Sequence, residues 1–306
     1  MFMAASCRNC LPEYRAPNER NELKPGRRAF LKTAGAFVAT LPVRGQRKPP
    51  PRFGLQTYSL RYEAAKDLPA TLALIRKMGF EEVEVSGLYE RSAAEYRRLL
   101  DDNGLKAVSL MASYGQLDKD VASAADDAQR LGAPYVVCST LPQKRYMTDE
   151  ECRSGAEFLN SRGEALAKSG LRLCYHTHGT EFSKSADSTI FDTLIKRTDA
   201  RFAHFEMDIY WIVYAHQDPV KLLHRYPGRF PLMHVKDIKP GTVLGGLPRD
   251  VREDESVPLG TGLVDIPAAL RAAQETGTRH YFIEDEAVDA TRQIPLSLRY
   301  LASMRW

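Results

Sequence analysis

From Phe53 onward, short apolar runs alternate with longer stretches whose apolar residues recur at helical spacing, and the alternation repeats eight times. The runs predict strands at residues 53–58, 80–85, 105–111, 134–139, 171–175, 203–207, 230–235 and 279–283. The stretches between and after them predict helices at 68–78, 92–103, 117–131, 149–169, 188–197, 219–226, 266–276 and 290–304. Gly79, Gly104 and Gly132 stand where helices should stop, and Gly170 precedes the fifth strand. Strands joined through helices run parallel, and eight such units at roughly 30-residue spacing argue for a closed (β/α)8 TIM barrel. The rival is an open doubly wound sheet. A glycine-rich turn after the first strand would favour it, and Gln56 to Arg61 contain no glycine. The longest interruption, residues 238–264, is rich in Gly and Pro and follows strand seven on the face where barrel sites form. It reads as a lid or substrate loop.

Length and charge refine the division. The chain has 306 residues, enough for one barrel of about 250 residues plus an extension. The formal charge of +4 is uneven: residues 1–50 hold ten Lys and Arg against three Glu, whereas residues 51–306 hold 33 against 36 acidic residues. The basic balance belongs to the tail, and the slightly acidic body argues against a nucleic-acid partner. Arg27-Arg28-Ala29-Phe30-Leu31-Lys32 precedes a weakly hydrophobic stretch, residues 33–43, too short to span a bilayer as an ordinary helix. The segment resembles a twin-arginine export signal, which implies a periplasmic protein with no stable membrane insertion unless the signal stays uncleaved. Residues 1–52 are thus expected to be lead, signal and linker, and residues 53–306 a single catalytic barrel. Five cysteines are too few for a disulfide framework, and Cys138 and Cys174 lie in strand runs as buried thiols. Cys7 and Cys10 have C-x-x-C spacing, but no second pair accompanies them.

Candidate chemistry collects at the strand ends. His176, Asp208, His234 and Glu284 each follow one of four successive apolar runs, so a barrel would bring them to one face. Two imidazoles with two carboxylates suit Mn²⁺, Fe²⁺, Co²⁺ or Zn²⁺ better than Mg²⁺ alone. His178 shares the face of His176 if the strand continues, as Glu206 shares that of Asp208. His178 is a candidate substrate donor, and Glu206 reads equally as a buried structural carboxylate. Glu84, at the end of strand two, reads as a substrate contact or part of a solvated edge. Tyr210 and Trp211 offer aromatic faces to a ligand ring or to core packing, and Arg61 and Arg145 offer charge to an anionic group. Lys236 and Asp237 read as a site lysine or as a structural ion pair.

The segments Gly54-Leu55-Gln56-Thr57-Tyr58-Ser59-Leu60-Arg61, Met78-Gly79-Phe80-Glu81-Glu82-Val83-Glu84, Tyr175-His176-Thr177-His178-Gly179-Thr180-Glu181-Phe182, Met207-Asp208-Ile209-Tyr210-Trp211, His234-Val235-Lys236-Asp237 and Ile283-Glu284 resemble, in order, the strand-end motifs of the sugar phosphate isomerase/epimerase family. That family belongs to the xylose isomerase-like barrels. The resemblance implies a sugar enzyme with one divalent ion, manganese first, with Zn²⁺, Co²⁺ or Fe²⁺ as alternatives. It implies Asp208, His234 and Glu284 as metal ligands, with His176 where part of the family has glutamate, as in the branch with Tyr-His-Asn-His. Thr177 replaces the Asn of that branch, and Glu181 becomes the expected base, with Glu284 as partner and Lys236 stabilising charge. Removal of a proton beside a metal-polarised oxygen gives epimerisation, isomerisation or, with loss of a β substituent, lyase chemistry.

A keto- or hydroxy-sugar, or a keto-glycoside, is the expected substrate. Lack of a phosphate-cradling glycine loop favours free or glycosidic sugars over phosphorylated ones. Two other readings stand beside this one. An apurinic endonuclease shares the barrel but needs further clustered zinc ligands and a basic DNA face. A non-catalytic sugar-binding barrel would retain the fold and lose the base.

Overall fold

The computed structural model describes residues 50–143, 145–185, 188–247 and 252–306. The twin-arginine segment, its linker up to residue 49 and Cys7 and Cys10 lie outside the described residues. The chain falls into two units, Met1–Gln46 and Arg47–Trp306, and every described residue belongs to the second.

The eight apolar runs become strands β1 (Phe53–Gln56), β2 (Glu82–Val85), β3 (Lys106–Ala112), β4 (Tyr135–Cys138), β5 (Arg172–His176), β6 (Ala203–Asp208), β7 (Leu232–Val235) and β8 (His280–Ile283). They form a closed barrel in which each strand lies beside its neighbour in the order just given. All pairings are parallel, and β8 returns to β1 with Phe53 opposite Tyr281 and Leu55 opposite Ile283.

Alternation along each strand divides the core. Leu55, Val83, Val136, Leu173, Tyr175, Phe205, Met233 and Ile283 point outward and pack with the helices in one continuous cluster. Val108, Tyr135, Val137, Cys174, Leu232 and Phe282 form a separate cluster inside the barrel. Each fully buried side chain of this size contributes roughly 1.5–3 kcal/mol. Gly54 faces inward, where an added Cβ would stand 2.8 Å from Cδ1 of Phe282 and 2.8 Å from the Glu82 carbonyl oxygen. The bare position of β1 therefore leaves the inner cluster room for the Phe282 ring.

The helices follow the predicted spacing with local departures. The stretch after β1 holds two helices, Arg61–Lys66 and Leu68–Lys77, because Asp67 is extended and its carboxylate accepts the Ala70 amide. The expected helix over 117–131 is likewise two, Tyr114–Lys119 and Val121–Leu131. Asp120, at φ −157° and ψ 84°, ends the first and caps the second. A short helix, Ile209–Tyr214, follows β6 directly.

The long loop after β7 is organised from its base. Asp237–Ile238 pairs antiparallel with Ser256–Val257. The buried Asp237 carboxylate accepts the amides of Ile238 and Val264 on Oδ1 and those of Gly260 and Gly262 on Oδ2, all within 2.9–3.0 Å. Asp237 is thus a loop anchor and not the ion partner of Lys236. No described residue of the loop between 239 and 264 lines the pocket over the barrel mouth, so the expected lid role has no contact to rest on there.

Candidate metal centre

Inward-facing positions at the carboxyl ends of the strands carry a polar layer above the inner apolar cluster. β2 supplies Glu84, β5 His176, β6 Glu206 and Asp208, and β7 His234, while Lys236 and Glu284 immediately follow β7 and β8. All seven are buried.

Asp208 is bound at one oxygen and free at the other. Its Oδ1 accepts the amides of Tyr210 at 2.8 Å and Trp211 at 3.4 Å, capping the helix Ile209–Tyr214. Its Oδ2 is buried without a hydrogen-bond partner. Around that atom stand His176 Nε2 at 3.8 Å and His234 Nδ1 at 3.9 Å, and Glu284 Oε2 lies 3.2 Å from His234 Nδ1. Asp208, His234 and Glu284 each turn one ligand atom into a common volume. Ligand bonds of about 2.0–2.2 Å give ligand-to-ligand edges of roughly 3–3.5 Å, so the observed separations fit a divalent ion after small adjustment.

The remaining nitrogen of each imidazole meets a carboxylate. His176 Nδ1 is 2.9 Å from Glu206, and His234 Nε2 is 2.7 Å from Glu84. These pairs fix which nitrogen each ring offers, as carboxylates behind metal-binding histidines do. Glu84 is itself fixed by Gln56 Nε2 at 2.6 Å and by the Ser109 hydroxyl. His176, Glu206 and His234 form a second triangle. Its 2.9 Å edge is the His176–Glu206 hydrogen bond, and its 3.3 Å edge sets Glu206 beside His234 Nε2, which is already bound to Glu84.

The electrostatics carry the same message of excess negative charge. Burial pushes the Asp208 carboxyl up to about 7, and burial, aided by Glu84, raises Glu206 well above the usual carboxylate range. Burial lowers His176, and it brings His178 down to about 4. His234 is raised against the effect of burial by Glu206, Glu284 and Glu84. Burial acts on Glu284 too, but Lys236 and His234 together hold it below the usual range. A cation among these groups would compensate charge that the protein leaves unbalanced.

A pocket of about 450 Å³ opens over this layer and is lined in part by His176, His178, Trp211, Glu284 and Glu286. His178 and Trp211 therefore stand on the pocket wall. Three other expectations need correction. Glu181 is not brought to the metal layer: it accepts from the outward-facing Tyr175 hydroxyl and lies 3.4 Å from the His178 amide, so it braces the turn after β5. Glu84 is wholly buried behind His234 and not on the pocket wall. Arg61 binds Glu253 of the long loop at 2.6 Å and the Glu286 carbonyl at 2.9 Å, and it too is absent from the wall. Lys236 lies below the wall, with Nζ bound to Glu286, 3.5 Å from Glu284 and 4.8 Å from the centre of the Tyr210 ring.

The wall also contains residues that strand-end ligand spacing does not single out. Ser86, Ser113 and Ser139 directly follow β2, β3 and β4, and with Thr140 and Gln116 they give one side of the pocket a row of neutral polar groups. The recurrence of serine after three consecutive strands is visible in the sequence. Glu286, two residues beyond Glu284, is the further carboxylate on the wall.

Barrel and strand-end layer define the class, and the chain belongs to the xylose isomerase-like TIM barrel family, which it matches over residues 72–306. Among curated proteins it is 23% identical over 238 residues to an inosose dehydratase of Clostridium beijerinckii, an overlap of 69% of this chain and 79% of that protein. Among solved structures, a sugar phosphate isomerase/epimerase of Parabacteroides distasonis superposes with a TM-score of 0.70 at 25% identity, covering 85% of this chain and 98% of the other. The IolI protein with a bound zinc atom shares the fold at a TM-score of 0.65 and 14% identity, covering 82% of this chain and 96% of that one.

Proposed function

We propose that the protein is a divalent-metal-dependent enzyme that abstracts a proton next to a carbonyl of a neutral polyhydroxylated ketone, such as a keto-sugar, keto-glycoside or cyclic keto-polyol. The observation that carries this reading is the partnerless Oδ2 of Asp208, ringed by His176, His234 and Glu284 at the floor of an open pocket. Those four side chains would hold the ion, and a zinc-bound relative of the same fold supports a divalent metal. Bound there, a divalent ion supplies Lewis-acid polarisation of a substrate oxygen.

The chain's own residues do the rest. His178 and the hydroxyls of Ser86, Ser139 and Thr140 face the substrate volume and orient its hydroxyl groups, while Trp211 offers an apolar face. Glu286 is the wall carboxylate left over by the metal set, so it takes the proton, and Lys236, bound to it from below, balances its charge. Glu284 and Glu286 line the pocket, and no Lys or Arg does so among the described residues. A phosphorylated substrate would face repulsion there, whereas a neutral polyol would not.

Return of the proton gives isomerase or epimerase chemistry. Loss of a β-hydroxyl gives a dehydratase, a second reading favoured by the relatives named inosose dehydratase. The export pattern at Arg27-Arg28 supports a periplasmic place of work. Arg27→Lys/Arg28→Lys should hold the product of a full-length fusion in the cytoplasm, and unchanged export would remove that part of the reading.

The decisive test uses the metal-loaded full chain with keto-sugars, keto-glycosides and inososes in deuterated water. Deuterium should enter beside the carbonyl, and an absorbing enone product would identify the lyase branch. Glu286→Gln should lower turnover by about 10²–10⁴-fold with metal content intact. Exchange that persists in a metal-free Asp208→Asn variant would end the proposal.

A further inference from the structure

The end of the barrel opposite the metal layer carries the reverse charge. Arg172 opens β5, His204 is the second residue of β6 and Arg279 immediately precedes β8, so these three stand at strand N-termini. Together with Arg201 they line a depression of about 390 Å³ whose wall is left bare at Gly228 and Gly277. The Arg201 charge is taken up by Asp199, which it meets with Nε at 3.0 Å and Nη2 at 2.6 Å. Arg172 and Arg279 have no carboxylate partner among the described residues. Among the described residues, the Arg172 side chain meets only the Tyr135 ring and hydroxyl, the latter at 3.3 Å. Behind them Arg229 spends its guanidinium on the carbonyls of Ile195 and Ala203 and the Thr198 hydroxyl, again with no carboxylate. Glu82, a further acidic side chain at this end, is bound to His280 at 3.1 Å.

We propose that this N-terminal mouth is a second binding site, separate from the metal centre, and that it takes a phosphate-type dianion. Guanidinium groups gathered without counter-charge repel one another, and a doubly charged oxyanion between Arg172 and Arg279 removes that cost. The planar donor fork of arginine matches phosphate oxygens in pairs. His204 fits as a neutral donor at the floor. Burial first, and then Arg229, Arg172 and Arg279, bring its imidazole down to about 4, and its Nδ1 is buried without a hydrogen-bond partner. An uncharged imidazole can give a hydrogen bond through one nitrogen without adding to the repulsion. A free phosphate compound and a lipid phosphate head group share this chemistry.

The metal-loaded full chain should be titrated with inorganic phosphate and with pyrophosphate in chloride buffer of constant ionic strength, while the His204 ring resonance is followed by NMR. Saturable binding tighter than about 10 mM that moves the His204 signal is expected. Arg172→Gln/Arg279→Gln should weaken binding by about tenfold or more. Arg279→Gln alone serves if the double variant unfolds, since Arg279 is exposed and its side chain makes no hydrogen bond or ion pair among the described residues. Phosphatidate vesicles in a sedimentation assay distinguish a head group from a free anion, and capture of either source that depends on these arginines upholds the site. Absence of binding to all three probes, or equal binding by parent and variant, would overturn it.

Discussion

Asp208 shows how much one side chain settles. One oxygen caps the helix that presents Trp211, and the other points at the proposed metal position, so the pocket wall and the proposed ligand set are registered by a single carboxylate. Asp208→Asn retains a capping oxygen and sacrifices a charged ligand. Metal content by elemental analysis should fall from about one per chain to near zero with the fold intact, and full occupancy in the variant would show the ligand set misassigned. Asp192 offers a residue-scale test away from the site. Burial opposes its ionisation, but hydrogen bonds from Tyr226, Thr189 and Arg225 bring its carboxyl down to about 2. A depressed folded value gives stability that is present above the unfolded value near 3.8 and is lost as pH falls through about 2. Asp192→Asn should therefore cost about 1–2 kcal/mol at pH 7 in urea melts. The gap should close between pH 4 and 2, and a gap independent of pH would count against this account.

At the scale of elements, the strands were legible because alternation and chain-long repetition reinforce each other. β1 through β8 all fall within one or two residues of the apolar runs. Helix breaks were less legible: Asp120 lies inside helical periodicity, and only its side-chain capping reveals the interruption, while the short helix Arg61–Lys66 ahead of Asp67 carries too little periodicity to be predicted. The four residues gathered around the Asp208 Oδ2 position were legible as polar residues at strand ends. What could not be read was direction beyond the strand. Glu181 and Glu286 both lie just past an end, and only the turn decides that one braces Tyr175 while the other meets the pocket. Gly54 gives a test of the barrel interior. Gly54→Ala brings a methyl against Phe282, whose ring adjoins His234 with centroids 6.3 Å apart. We expect a loss of about 1–3 kcal/mol in thermal or urea unfolding, with weaker metal retention. Parent-like stability would mean that the inner cluster yields more easily than its packing implies.

For the whole molecule, the ion is expected to act as a fastener as well as a reagent, since its ligands come from β5, β6 and the segments at β7 and β8. Chelation should lower the unfolding temperature by several degrees, about 2–4 °C for each kcal/mol of lost binding energy. Asp208→Asn should show no such response, and an equal drop in both proteins would assign the effect to the chelator. The closed sheet has a further consequence in time. β1, the first strand made, acquires its second neighbour only when β8 emerges, and Glu284 follows β8 directly. The hydrogen-bonded ring and the metal set are thus finished by the same late segment of the nascent chain. Loading of the proposed ion would then be a record that synthesis has passed the last barrel strand, which a partly made barrel cannot forge.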